Sequence, residues 1–189
     1  MVDRFDSIVF SSLWAACAAA ALTGAATTEL GMAITWPTLA LAFAGTLVVY
    51  NIDRLRDLEL DRNTAPLRTA FVTQNRRALL ALVIFSAAWA MLLAGFLGPA
   101  VFGLCAVCIL PGLFHRRLKQ HPGVKTLYVS SAWVAVTVGL PVFAHPLGTD
   151  IPRAAVLPWI IGIYAATLAA NVIASNLRDT EHSRYTGQR

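Results

Sequence analysis

The sequence predicts an all-α fold: a polytopic transmembrane helix bundle of about six spans, forming a single domain over residues 1–189. Three observations lead there. Of 189 residues, 57% are hydrophobic and only 13% are charged, far from the balance of a soluble domain. The charges that exist are segregated, leaving uncharged runs at 7–28, 31–52, 78–114, 126–149 and 154–177. Once those runs are threaded through a bilayer, the cations fall almost wholly on one side.

A helix needs about 20 residues to cross the hydrocarbon core. Four of the runs fit one helix each. The run 78–114 fits two, broken at Gly98-Pro99. The expected spans are therefore about 7–28, 33–52, 78–97, 100–118, 126–147 and 154–177. The first is rich in Ala, with Gly24, and such small side chains let helices approach closely in lipid. It does not read as a signal peptide, because it is too long for an h-region and Asp3 and Asp6 flank Arg4. A short turn near 29–31 leads to the second span, which enters past Trp36-Pro37, an interfacial anchor followed by a first-turn proline. The loop that follows, to about Arg77, is the longest and most charged. Spans three and four form a hairpin at Gly98-Pro99, with almost no polar loop. The fourth contains Pro111 and ends in a basic segment, 115–119. The fifth carries Trp133, Pro141 and His145. The sixth begins near Arg153 and carries Asn171 and Asn176 before a second acidic segment, 179–181.

Assigning each Lys and Arg to a side sets the orientation. Arg4, Arg54, Arg56, Arg62, Arg68, Arg76, Arg77, Arg116, Arg117, Lys119, Lys125, Arg178, Arg184 and Arg189 lie on one side, and Arg153 alone lies on the other. The positive-inside rule makes the rich side cytoplasmic. The expected protein is thus an integral, multi-pass membrane protein with both termini in the cytoplasm. Its basic excess is a topology signal that also favours anionic lipid, and nucleic acid need not be invoked. Cys17, Cys105 and Cys108 all fall within spans and read as small packing residues.

The most informative stretch is 50–68, YNIDRLRDLELDRNTAPLR. Asp53, Asp57 and Asp61 are four apart, and each step of four turns a helix by only about 40°, so one face would carry all three over roughly 12 Å. Carboxylates so placed need cations, either a divalent metal or arginines. Hard-cation chemistry suits Mg²⁺, which binds through one or two carboxylates plus water and substrate phosphates. Arginine adds a bidentate grip on phosphate oxygens. Two acidic segments and one basic segment at one face of an apolar bundle describe a site for a lipid diphosphate, with its head group on metal and its tail between helices.

In these residues the chain resembles the UbiA superfamily of intramembrane prenyltransferases. Asn51, Asp53, Asp57 and Asp61 are similar to the family's first Asp-rich motif, at the end of its second helix. Residues 171–189, NVIASNLRDTEHSRYTGQR, are similar to its second, at the end of the sixth helix. Residues 118–133, LKQHPGVKTLYVSSAW, look like its basic loop and the start of its fifth helix. The placement agrees as well as the residues, and the resemblance covers the whole chain. The CDP-alcohol phosphotransferases also place spaced aspartates at a helix end, but their signature needs an Asp-Gly and an Ala-Arg, and neither occurs in residues 50–80.

The resemblance implies a UbiA prenyltransferase-like fold and Mg²⁺-dependent transfer of a prenyl chain from prenyl diphosphate to a lipophilic, expectedly aromatic, acceptor. It implies Asp53, Asp57, Asp61 and Asp179 as metal ligands and catalytic residues. Asn51, Arg68, Arg116, Lys119, Lys125, Asn176 and Arg178 would bind substrate. Three features differ from the family's pattern. Ile52 follows Asn51 where an Asp is usual, and Ser183 stands where the second motif usually places its later Asp. Family members have about nine helices, so the resemblance is to a short, six-helix form or a truncated member. The alternative function is a noncatalytic protein of this fold, which binds lipid or pigment or serves as a subunit beside a membrane-protein partner.

Overall fold

The computed structural model of the 189-residue chain describes residues 8–58, 65–113, 122–146 and 150–185, with only the backbone described at 110–113, 122, 125 and 176–185. The described residues are helical throughout, with no strand among them. The helices are α1 (Leu13–Glu29), α2 (Trp36–Arg56), α3 (Pro66–Gln74), α4 (Arg76–Leu97), α5 (Pro99–Leu113), α6 (Pro122–Val134), α7 (Leu140–Ala144) and α8 (Leu157–Tyr185). A π-helical turn, Ala135–Gly139, joins α6 to α7 into one continuous rod.

Among the described residues, four stretches are long and apolar enough to cross a membrane: Trp36–Arg56, Arg76–Leu97, Thr126–Ala144 and Ala154–Ser175. The other two expected spans form shorter helices. α1 has 17 residues, about 26 Å at 1.5 Å each. It is cut off from a helical turn at 8–10 by Ser12, whose φ of 64° is left-handed. α5 begins at Pro99 and has 15 residues.

Gly98 ends α4 with φ 108°, a conformation that favours glycine. Pro99 then opens α5, where its missing N–H is no loss. The hairpin therefore needs no polar loop, as expected. The expected cytoplasmic loop to Arg77 is more structured than its charge suggested. It contains α3, and α2 itself runs four residues beyond the expected end at Ile52.

The helices form a ring. α1 packs on α2, α2 on α4, α4 on α5, α5 on α7, and the π turn with α7 returns to α1, while α8 lies outside against α6. Two clusters fill the ring. One joins Leu41, Ala42, Leu93, Ala94, Val101 and Leu140; the other joins Ala26, Leu30, Val138 and Ile160. Large apolar side chains point outward instead: Phe96 is 77% exposed, Trp159 74% and Phe85 71%. So many large apolar side chains facing outward is the arrangement expected when the surrounding solvent is lipid. Buried hydroxyls meet the same demand locally. Thr23, Thr27, Thr46 and Thr137 each donate to the carbonyl four residues back, at 2.7–2.8 Å, so these four hydroxyls are satisfied within their own helices.

The π turn has a sequence cause. Pro141 has no N–H to give Thr137 O and would crowd it in a regular helix. The backbone widens just before it, and Leu140 N–H donates to Ala135 O instead. At the opposite end of the bundle from Asn51, α1 closes in a Schellman motif. Gly31 N–H donates to Thr28 O and Met32 N–H to Thr27 O, with Gly31 at φ 72°. Leu30 O then accepts Arg153 N–H at 3.1 Å, tying this corner to the entry of α8.

Candidate functional site

The acidic end of α2 is where the sequence concentrates its chemistry. α2 stays regular through Arg56, and Asp57 is its C-cap, its N–H donating to Asp53 O at 3.0 Å. Asp57 has φ −97° and ψ 12°, so the regular α-helix ends before it. The expectation of one unbroken helical face bearing three carboxylates is corrected here. Asp53 and Asp57 close the last turn together, and Asp61 lies outside the described residues. Among the described residues, no three His, Cys, Asp or Glu side chains gather into a metal-binding group. Two carboxylates, as on Asp53 and Asp57, are as many as Mg²⁺ commonly uses when it takes the rest of its shell from water and phosphate. Asp53, Asp57, Arg54, Arg56 and Arg68 are each engaged in at least one polar or charge interaction.

Asn51, one turn before this end, is fully buried at 0% exposure. Its Nδ2 donates to Ser11 O at 3.0 Å and to Leu47 O at 2.9 Å. The expected substrate contact is thus replaced by a structural one: both amide hydrogens hold backbone, and Asn51 ties α2 to the segment before α1. Arg54 does the same a turn later. Its Nη1 donates to Val9 O at 2.9 Å and also to Phe10 O. Both residues compensate one defect. The left-handed Ser12 stops the helical turn at 8–10, exposing carbonyls that would otherwise bond up the helix, and a guanidinium at the negative end of that turn satisfies them.

The defect is not fully repaired. Ser12 Oγ and Asn51 Oδ1 are buried without a hydrogen-bond partner, at a cost of roughly 1–3 kcal/mol each. The left-handed Ser12 adds about 1–2 kcal/mol.

Two aromatic contacts frame the same end. Trp133 Nε1 donates to Tyr50 Oη at 3.0 Å, the rings standing edge to face at 81° with centroids 6.2 Å apart. Phe10 meets Phe71 of α3 with centroids 5.7 Å apart. α3, the helix bearing Arg68, is therefore seated against the 8–12 segment, which in turn is held by the end of α2.

The remaining expected site residues are only partly visible. Arg116 and Lys119 lie outside the described residues. Lys125 lies in the first turns of α6, and Asn176, Arg178 and Asp179 lie in the last turns of α8, described by backbone alone. That backbone is helical through Tyr185. Residue 181 is therefore about 200° around from residue 179, and Glu181 does not take the place that Ser183 occupies one turn on. The three cysteines are free. A shallow apolar groove of about 500 Å³, lined by Pro158, Trp159, Gly162, Ile163 and Ala166, lies on α8 toward the Arg153 end, away from this chemistry.

Reading the sequence missed Arg54 and Ser12. Arg54 carried a usable signal: a guanidinium in the last turn of an apolar helix needs acceptors, and nearby acids are only one source. The left-handed break in a run of ordinary residues had no signal. Comparison with protein-family models, with curated proteins and with solved structures finds no match for this chain.

Proposed function

We propose that the chain is an intramembrane prenyltransferase of the UbiA type, with six spans and both termini in the cytoplasm. It moves a prenyl chain from prenyl diphosphate to a lipophilic, aromatic acceptor. The observation that carries this reading is the end of α2, where Asp53 and Asp57 close a membrane-length helix that holds the 8–12 segment, against which α3 with Arg68 is seated. Carboxylates and arginines there suit a metal-bound diphosphate better than a plain solvated surface. Asp61 and Asp179 would complete the carboxylate set, and Arg68, Arg116, Lys119, Lys125 and Arg178 would hold diphosphate oxygens, with Asn176 beside them.

Mg²⁺, when bound, supplies Lewis-acid stabilisation of the leaving diphosphate. The chain's own groups do the rest. Asp53 and Asp57 fix where the head group sits, at the boundary between water and hydrocarbon. The arginines neutralise charge as the allylic C–O bond breaks and its electron pair leaves with the diphosphate. The apolar helices keep water from the allylic carbon until the acceptor carbon bonds to it and loses its proton.

A second reading is a noncatalytic protein of the same fold that binds lipid or serves as a subunit. It is favoured by the last span, of which only 6% is buried, against 39% for Trp36–Arg56. A helix so little covered suits a place against a membrane-protein partner. Incubating the purified protein with Mg²⁺, a prenyl diphosphate and extracted membrane lipid separates the two readings. Release of pyrophosphate together with a prenylated lipid, both lost in Asp57→Asn, supports the enzyme. Retained, unreacted prenyl diphosphate supports the second reading.

A further inference from the structure

We propose that residues 8–12 form a strap that occupies Arg54 and Asn51, beside the candidate head-group site, until a multiply charged phosphate displaces it. This rests on the head-group reading above and adds regulation of that same site. Three consecutive carbonyls are gripped by two residues of α2: Val9 O and Phe10 O by Arg54, and Ser11 O by Asn51. Arg54 is the direct neighbour of Asp53 in sequence, and its Nη1 donates to two neutral carbonyls of this segment. On its other side the strap is pinned by the Phe10–Phe71 ring contact to α3, the helix that carries Arg68. The strap thus touches α2 and α3, the two elements whose described side chains the site would use.

Its docked state is poised rather than settled. Ser12 is held left-handed, and Ser12 Oγ and Asn51 Oδ1 are buried with no partner, an arrangement that buried polar groups seldom tolerate without a compensating role. A phosphate oxygen is a stronger, charge-assisted and bidentate partner for a guanidinium than a backbone carbonyl. When Arg54 turns to it, Phe10 O loses its side-chain donor, Val9 O keeps only the Ser12 N–H, and the segment moves to water at the membrane edge, relieving Ser12. Anion binding and strap release are then one equilibrium, and weakening the strap raises anion affinity.

The test uses the full chain in detergent, inorganic pyrophosphate with Mg²⁺, and two readouts: the dissociation constant, and amide hydrogen exchange over residues 8–12. Pyrophosphate should speed exchange there. Phe10→Ala, which removes one ring contact of a type worth on the order of three- to tenfold in an equilibrium, should bind pyrophosphate tighter by about that factor. Phe71→Leu removes the same contact from the other side and serves if Phe10→Ala does not fold. If pyrophosphate binds but exchange over 8–12 is unchanged or slower, or the variant binds no tighter, the strap is wrong and the head-group reading stands. If neither protein binds pyrophosphate, both are wrong.

Discussion

Trp133 donates its indole N–H to the phenolic oxygen of Tyr50 at 3.0 Å, linking α2 one turn before Asp53 to the rod whose first turns carry Lys125. The two stretches that the sequence marks as acidic and basic are thereby held in one register by a side-chain bond between helices. In a lipid surround, with no competing water, such a bond contributes about 1 kcal/mol. Trp133→Phe keeps the ring and removes the donor, so it should lower thermal stability by about that amount. The double variant with Tyr50→Phe should be no worse than either single one. Strictly additive losses would show that the bond contributes nothing.

Asn51 is a donor to two carbonyls, so a neutral and an acidic replacement differ in consequence. Asn51→Leu leaves Ser11 O and Leu47 O without their side-chain donor and should destabilise by roughly 1–3 kcal/mol. Asn51→Asp, nearly the same shape, should be worse, because it sets a buried carboxylate against those oxygens. Chemical unfolding in mixed micelles ranks the two, and an Asp variant as stable as wild type would contradict the donor role.

Gly31 and Gly95 should respond oppositely to alanine. At Gly31, with φ +72°, an added Cβ would stand 3.2 Å from Pro152 Cβ and 3.3 Å from Arg153 Cγ. Gly31→Ala should cost about 1–2 kcal/mol from the left-handed backbone alone, with the crowding added. At Gly95 nothing lies within 4 Å. Gly95→Ala in the last turn of α4 should be neutral or stabilising by up to about 1 kcal/mol. Melting temperatures of the two variants check the contrast.

The orientation has its own check. A reporter active only in the cytoplasm, fused after Arg189, should be active. Activity instead from a reporter restricted to the far side would overturn the cytoplasmic C-terminus, and with it either the orientation or the even number of spans.

Much of the fold was legible because lipid imposes simple rules. Long uncharged runs, Gly98-Pro99 and Trp36-Pro37 each mark an element boundary by composition or by proline geometry, and the structure places helices accordingly. What stayed hidden depends on tertiary partners. Nothing in the residues around Ser12 distinguishes a left-handed break from a continuing helix; it exists because Asn51 and Arg54, forty residues on, supply donors for the carbonyls it frees. The spacing of Asp53, Asp57 and Asp61 promised a continuous helix face, yet periodicity alone does not say where a helix stops, and α2 ends at Arg56. The wide turn at Ala135–Gly139 follows from Pro141, a cause visible in the sequence only when the proline is taken as the interior of a rod and not its end.

The account turns on whether the end of α2 holds a metal-bound diphosphate, and titration of the purified protein with a prenyl diphosphate tests this most directly. Binding should require Mg²⁺, fall on chelation, and weaken at least about tenfold in Asp57→Asn, since one carboxylate of a small set is neutralised. Binding of equal strength with and without Mg²⁺, unchanged by Asp57→Asn, would contradict it.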